Sequence, residues 1–255
     1  MPASRSRKVI VITGAGSGIG AATARRLAAE NTALLLHTRG NRHGLEAVAA
    51  ECRALGAEVA LHLGDLAAPE TAASVIDAAR DSFGAVDVLV SNAGVAHKSR
   101  FGEMTEAELR AAFEIIPLAF FRLVEAALPD LLASPGGRVI AISSFVAHAY
   151  GTGDMLFPAS SAAKAALEAL AKALAVQLGP DDVTVNCVAP GFTRKDTGGH
   201  TATSPKAMDR TAAITPTGRV AEPIDIAEAV AYLASPGARQ VTGQILHVDG
   251  GLLLP

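Results

Sequence analysis

Cysteine, excess positive charge and long apolar runs are all scarce in this chain of 255 residues. Its two cysteines, Cys52 and Cys187, form neither a C-x-x-C motif nor a zinc-ligand spacing, and so low a count favours a reducing compartment. A net charge of −3 argues against a dedicated nucleic-acid-binding protein, which would carry a basic surplus. The apolar run "VIVIT" near the start is too short for a signal sequence or a membrane span. We therefore expect a cytoplasmic protein that binds neither nucleic acid nor membrane.

Short apolar runs alternate along the chain with longer stretches of helical period, and half of the residues are hydrophobic. The predicted strands span 8–13, 33–37, 58–63, 86–91, 138–143, 183–188 and 244–248. The predicted helices span 18–30, 42–55, 69–83, 105–132, 158–178 and 223–235. Continuous apolar character is typical of strands that are buried on both faces of a parallel sheet. The pattern predicts a doubly wound α/β fold, with seven parallel strands, helices on both faces and a single domain over 1–255.

One long irregular stretch, 191–222, is rich in Gly, Thr, Pro and Lys and follows the sixth predicted strand. It leaves the sheet at a carboxyl edge, which is where ligands bind in such folds. We expect a substrate lid over 192–218, and a plain surface loop is the alternative.

The segment "TGAGSGIG" (13–20) follows the first strand and opens the first helix. In such a loop Gly14 allows a tight turn, Gly18 lets the backbone approach a pyrophosphate, and Gly20 lets helix and strand pack closely. The N-terminus of the helix then offers N–H groups and a favourable dipole to the phosphates. The strand–loop–helix context predicts a Rossmann-type dinucleotide site, whereas a turn without a ligand is the alternative.

Further motifs follow in order: "GDL" (64–66), "SNAG" (91–94), "ISS" (142–144), "PGFT" (190–193) and "VTGQILHVDGG" (241–251). Together with T-G-x-x-x-G-I-G, they resemble the short-chain dehydrogenase/reductase family, in its 3-oxoacyl-carrier-protein-reductase-like branch, over nearly the whole chain. The resemblance implies a nicotinamide cofactor and a small-molecule substrate. The cofactor-binding residues that it implies are Thr13, Gly14, Ser17, Gly18, Ile19, Gly20, Thr38, Arg39, Asp65, Leu66, Asn92, Ala93, Gly94, Lys164, Pro190, Gly191 and Thr193.

The end of the second strand indicates which nicotinamide cofactor is preferred. An acidic residue there would bind the ribose hydroxyls of NAD, whereas Arg accommodates the 2′-phosphate of NADP. Thr38 occupies the usual acidic position and Arg39 follows it. We therefore expect NADP as the cofactor, with NAD as the second choice; a solvated surface Arg39 is the alternative reading.

The resemblance implies four catalytic groups: a Tyr, a Lys four residues later, a Ser, and an Asn in the long middle helix. Ser144 and Lys164 match the Ser and the Lys. Ser160 stands four residues before Lys164, and a different placement of an insertion puts Phe157 at the Tyr position instead. Ile116 stands where the Asn belongs. Two of the four usual groups are therefore missing.

Another group must supply the proton if catalysis survives. An alkyl hydroxyl has a pKa far above the phenol value near 10, so Ser160 is a poor direct substitute for Tyr. Three histidines follow carboxyl ends of strands: His97, His148 and His200. Our hypothesis is that His148, Tyr150 or an ordered water is the donor. These histidines lack the i, i+4 spacing of metal ligands, so we expect no metal site.

The sequence favours an oxidoreductase that transfers a hydride between NADP(H) and a carbonyl or alcohol, with a non-standard proton donor. Two alternatives stay open. One is an inactive nucleotide-binding protein, such as a sensor or a partner subunit. The other is a non-redox lyase or isomerase on the same scaffold.

The predicted helix 158–178 carries two faces that bear on assembly. One is a leucine stripe that we expect to face the sheet: Leu167, Leu170, Leu174 and Leu178. The other is a smooth alanine face: Ala162, Ala166, Ala169 and Ala173. Because the family commonly pairs this helix across subunits, we expect a homo-oligomer, a tetramer or a dimer; the alternative is a solvent-facing Ala-rich helix.

Overall fold

Seven parallel strands form one sheet in the computed structural model, which describes residues 7–152, 155–194 and 205–254. The strands are β1 (Lys8–Ile12), β2 (Thr32–Thr38), β3 (Glu58–Leu63), β4 (Val88–Ser91), β5 (Arg138–Ile142), β6 (Thr184–Pro190) and β7 (Ile245–Val248). Their order is β3-β2-β1-β4-β5-β6-β7, and each neighbouring pair is parallel. The predicted doubly wound sheet is confirmed.

Eight α-helices are present in the described part of the chain. They are α1 (Gly18–Leu27), α2 (Arg42–Ala54), α3 (Pro69–Phe83), α4 (Glu106–Phe113), α5 (Ala119–Ala133), α6 (Pro158–Leu178), α7 (Pro205–Ile214) and α8 (Pro223–Ala234). Side chains of α3, α4, α5 and α6 share one hydrophobic core with one face of the sheet, and those of α1, α2 and α8 share another with the opposite face. The strands between the two cores are buried on both sides, as their continuous apolar runs predict.

The long middle helix is interrupted where the sequence predicts a single helix over 105–132. α4 begins with a capping box: the Thr105 hydroxyl accepts from the backbone N–H of Glu108, whose carboxylate accepts from the N–H of Thr105. A π-helical turn, Glu114–Leu118, then separates α4 from α5. Pro117 lies inside this turn, has no N–H to donate and disfavours regular α-helical bonding. Ile116 is buried there.

The stretch predicted to be irregular, 191–222, contains the helix α7. Its sequence, "PKAMDRTAAI", begins with Pro, which is tolerated in a first helical turn, and continues with several good helix formers. The chain after α7 is fixed to the C-terminal segment, because the N–H of Thr217 donates to the carbonyl of Gly250 over 3.1 Å. The predicted lid, 192–218, lies in part outside the described residues.

Helix α6 packs on the sheet mainly through small side chains. The buried apolar residues of this face are Ala159, Ala163, Leu167, Ala171, Ala175 and Leu178. Leu170 instead lies exposed, so the predicted leucine stripe faces the sheet only in part. Alanine at successive turns lets the helix approach the sheet closely and directs Leu170 outward. Among the described helices, none is both long enough and apolar enough to span a membrane.

Replacing Phe120, one of the largest fully buried side chains, tests the core beneath α5. We expect Phe120→Ala to lower the free energy of unfolding by about 3–5 kcal/mol, because the neighbours cannot close the cavity. The control is Phe101→Ala, at a side chain that is 86% exposed, for which we expect a change of about 0.5 kcal/mol or less. Urea unfolding at fixed protein concentration measures both, and equal losses would contradict the packing described here.

Candidate active site

The motifs singled out in the sequence meet at one edge of the sheet. Because all strands are parallel, their carboxyl ends lie at the same edge, and the segments that follow β1, β2, β4, β5 and β6 start there. The strand order changes direction between β1 and β4, which is the position where ligands bind in doubly wound sheets. The candidate site is therefore built around the loops after these two strands.

A set of hydrogen bonds joins the loops after β1 and β4. The Thr13 hydroxyl accepts from the backbone N–H groups of Asn92 (3.0 Å) and Ala93 (3.1 Å). In return, the Asn92 amide donates to the carbonyls of Thr13 (2.8 Å) and Gly14 (3.2 Å). The "TGAGSGIG" and "SNAG" motifs thus form one continuous floor.

The glycine loop fits a pyrophosphate at the N-terminus of α1. A Cβ at Gly20 would lie 2.2 Å from the carbonyl oxygen of Gly14, so only glycine allows this approach of helix to loop. Gly18 has φ +54°, and a Cβ there would meet nothing within 4 Å, so this backbone faces open space. The Ser17 side chain forms no capping bond, and the first turn of α1 holds no acidic residue. The helix end is therefore suited to an anion, and Ile19 continues the same turn.

The adenosine end of the cradle lies at the carboxyl ends of β2 and β3. Thr38 is buried, whereas Arg39 is exposed and its Nη1 lies 4.0 Å from Oδ2 of Asp65. Leu66 is buried beside them. A cationic side chain thus stands beside the position that the sequence assigns to the adenosine ribose.

Asn41 is a structural contributor that the sequence analysis missed. Its Oδ1 accepts from the N–H of Gly44 (3.1 Å) and caps α2, while its Nδ2 donates to the carbonyl of Gly16 in the glycine loop (2.9 Å). The N-cap is readable from an Asn directly before a helical run. The contact with Gly16 is not readable, because it depends on how α2 packs against the loop.

Lys164 projects from the first turns of α6 into the buried side of the site. Its Nζ donates to the carbonyl of Ile142, at the end of β5, over 2.5 Å. A Cβ added to Gly94 would lie 3.4 Å from the same Nζ, so the ammonium also borders the loop after β4. Burial lowers the pKa of Lys164 to about 8.

Ser160 lies one turn before Lys164 and is buried under the loop after β4. Its hydroxyl donates to the carbonyl of Val95 and accepts from the N–H of His97, each over 3.4 Å. The backbone of this loop therefore covers the position where the resemblance expects a phenol.

Ser144 and Tyr150 lie on the segment after β5. Ser144 begins a 3₁₀ turn, Phe145–Ala147, and its hydroxyl accepts from the N–H of Val146 over 3.4 Å. The ring of Phe145 packs at 4.6 Å from that of Phe192, which joins this turn to the segment after β6. Tyr150 is 74% exposed, and its hydroxyl donates to the carbonyl of Ala147.

His148 turns toward α6 and β7. Its Nε2 lies 3.0 Å from Oε1 of Glu168, and its ring meets that of His247 edge-on at 4.7 Å. The Ser143 hydroxyl donates to the same Glu168 oxygen in a very short bond. The sequence analysis missed Glu168 and Ser143. A signal for Glu168 was present, because it follows Lys164 by four residues and shares its helix face.

The segment after β6 closes the site from the other side. The N–H of Gly191 donates to the carbonyl of Val248 (3.0 Å), and the Thr193 hydroxyl donates to the carbonyl of Gly191 (3.2 Å). Pro190 ends β6 next to this turn. His200 lies outside the described residues. Within the described ranges, no group of three or more His, Cys, Asp or Glu side chains is arranged to hold a metal ion.

Comparison with known proteins matches this geometry to a family. Residues 14–253 match the family model described as enoyl-(acyl carrier protein) reductase. An uncharacterized oxidoreductase of Methylorubrum extorquens is 37% identical over 250 residues, which cover 96% of this chain and 97% of that protein. A 3-oxoacyl-[acyl-carrier-protein] reductase of Vibrio cholerae is 36% identical over 247 residues, covering 97% of this chain and 98% of that protein.

Solved structures agree with the sequence relatives. The L-sorbose reductase of Gluconobacter frateurii, solved with NADPH and L-sorbose, superposes with a TM-score of 0.88 at 30% identity and full coverage of both chains. An acetoin dehydrogenase of Salmonella typhimurium gives a TM-score of 0.87 at 31% identity, with 97% of this chain and 96% of that chain covered. The chain belongs to the short-chain dehydrogenase/reductase family of oxidoreductases, in its 3-oxoacyl-[acyl-carrier-protein]-reductase-like branch.

Proposed function

We propose that this protein is an NADP(H)-dependent oxidoreductase that interconverts a small carbonyl compound and its alcohol. The observation that carries the proposal is the buried Lys164 ammonium, set between the ends of β4 and β5 inside a complete dinucleotide cradle. A charged group is costly to bury, and its retention beside a cradle suited to phosphate favours a ligand-binding role.

The residues of the cradle divide the cofactor between them. The N-terminus of α1 would hold the pyrophosphate, Arg39 the 2′-phosphate, and Lys164 the hydroxyls of the nicotinamide-side ribose. When bound, NADPH supplies the hydride. The chain itself positions the substrate carbonyl, for which Ser144 is the candidate donor, and delivers the proton.

The proton donor is the part of the mechanism in which this chain departs from the family pattern. The candidate side chains Ser160, Tyr150 and His148 each already hold a hydrogen-bond partner in the described structure. We propose that an ordered water in the place of the missing phenol carries the proton from Lys164 to the substrate oxygen. An ammonium with a pKa near 8 is a suitable proton source at neutral pH.

A nucleotide-binding protein without turnover is the second candidate. The burial of Ser160 beneath the loop after β4, together with the apolar Ile116 at the family's Asn position, favours it. The two candidates differ in one result: both bind NADPH, but only the enzyme oxidises it in the presence of a substrate. A lyase or isomerase would instead convert its substrate with no change in NADPH.

Arg39 gives a test of cofactor preference. We expect the wild type to bind NADPH more tightly than NADH, and Arg39→Ala to weaken NADPH binding about tenfold while leaving NADH binding nearly unchanged. The reason is the loss of a charge-assisted hydrogen bond to the 2′-phosphate. Fluorescence titration measures both cofactors, with Arg239→Ala, an exposed arginine elsewhere, as the control. Equal affinities of the wild type for both cofactors would contradict the assignment.

Lys164→Met tests the catalytic assignment and the cost of burying the lysine. We expect NADPH oxidation with a panel of ketones and aldehydes in the wild type and none in the variant.

The same variant should be more stable at pH 7. The pKa falls from 10.5 to about 8 on folding, so the buried charge costs about 3 kcal/mol below pH 8. As pH rises from 8 to 10.5, the unfolded lysine binds more protons than the folded one and wild-type stability recovers. Urea unfolding at pH 7 and at pH 10 checks this, and a variant less stable than the wild type at pH 7 would contradict it.

The outer faces of α5 and α6 support the proposal of a homo-oligomer. The exposed large apolar side chains there are Leu118, Phe121, Leu132, Leu170 and Val176. We expect light scattering after size exclusion to give a dimer or tetramer, and Val176→Glu to give a smaller species, because it buries a charge at the contact. The control is Leu55→Glu, an exposed leucine that follows α2 on the opposite side of the sheet. A monomeric wild type would contradict the proposal.

A further inference from the structure

Three polar side chains occupy successive turns of the buried face of α6. Ser160, Lys164 and Glu168 follow each other at intervals of four residues and are 2%, 8% and 6% exposed. The residues beside them on this face are alanine and leucine. Two of the three carry ionisable groups that are expensive to bury, so their burial requires compensation within the fold.

Glu168 is compensated by two donors from the segment after β5. Its Oε1 accepts the Ser143 hydroxyl and, with the imidazole protonated at Nε2, the His148 ring at 3.0 Å. An oxygen that accepts two hydrogen bonds at once is suited to the ionised carboxylate. The contacts therefore fix a negative charge one helical turn from Lys164.

Lys164 has no carboxylate within ion-pair distance among the described residues; its Nζ donates to the Ile142 carbonyl instead. Glu168 therefore acts on the ammonium through space, across one turn of α6. Its attraction raises the pKa of Lys164 and opposes the larger effect of burial, which lowers it. The other titratable groups that face this pair are Cys187 on β6, Lys172 on α6 and His247 on β7.

We propose that Glu168 is a positioning residue for the active-site lysine: held by Ser143 and His148, its carboxylate keeps Lys164 charged at neutral pH and therefore able to bind the cofactor ribose and give up a proton. The inference rests on the proposed function for the purpose of the charge. The electrostatic coupling itself exists whether or not the protein turns over a substrate. His148 then acts through Glu168, as a lock on the carboxylate.

The coupling can be measured directly by NMR titration of protein labelled with ¹³C at its six lysines. The signal of Lys164 is assigned by its loss in Lys164→Met. We expect the Lys164 titration midpoint in Glu168→Gln to lie about one pH unit below that of the wild type, since an adjacent opposite charge shifts a pKa by about 1–3 units. Glu125→Gln, the same change on the exposed side of α5, should leave the midpoint in place.

Binding of NADPH gives a second readout that a purely structural role would not produce. If the midpoint falls from about 8 to about 7, the charged fraction of Lys164 at pH 7.5 falls about threefold. We expect Glu168→Gln to bind NADPH about threefold more weakly than the wild type at pH 7.5 and equally at pH 6, where both lysines are charged. A loss of affinity that is the same at both pH values would overturn the proposal.

A further variant keeps the test decisive if Glu168→Gln does not fold. Glu168→Leu places an apolar side chain of similar size on the buried face and should lower the Lys164 midpoint in the same direction. Midpoints that coincide with the wild type in whichever of these variants folds would overturn the inference. A normal midpoint shift in a protein that does not bind NADPH would instead refute the proposed function and leave the coupling standing.

Discussion

The hydrogen bonds between Thr13 and Asn92 hold together the two loops on which the site depends. They join the carboxyl ends of β1 and β4, the central pair at which the strand order changes direction. Because the Thr13 hydroxyl and the Asn92 amide together use two acceptors and three donors of the loop backbone, the loops cannot separate without leaving buried polar groups unpaired. The glycine loop, the N-terminus of α1 and the border of Lys164 are all placed relative to this contact.

The second constraint is the burial of charge beside that floor. Lys164 and Glu168 lie on one face of α6 among alanine and leucine, and neither is neutralised by a direct ion pair with the other. The folded protein thus carries a cost that a pair of apolar residues would avoid. Such a cost is common at functional sites, where a strained or charged group is retained for what it does to a ligand. The same reasoning explains why removal of Lys164 should stabilise the protein while it ends turnover.

The departures from the family pattern change the polar environment of the site in a consistent way. Ser160 replaces a long phenol with a short hydroxyl, and the loop after β4 closes over it. Ile116, in the π-helical turn that contains Pro117, replaces an amide with an apolar side chain. Polar contacts are instead present one turn further along α6, where Glu168 binds Ser143 and His148. The protein has therefore lost polar groups on the β4 side of Lys164 and holds an ionised network on the β7 side.

The sequence by itself determined the order of the strands and helices, the glycine loop and the residues that follow each strand, because these depend on local periodicity and on the parallel sheet rule. Helices α3 and α6 begin and end where the sequence predicts them. Only the tertiary structure decided the interruption before α5, the helix inside 191–222, and the outward position of Leu170. It alone also decided which partners Ser160, His148 and Glu168 would find. Those outcomes depend on contacts between residues far apart in the chain, such as Ser143 with Glu168 and Asn41 with Gly16, and no local pattern specifies which side chains two packed elements bring together.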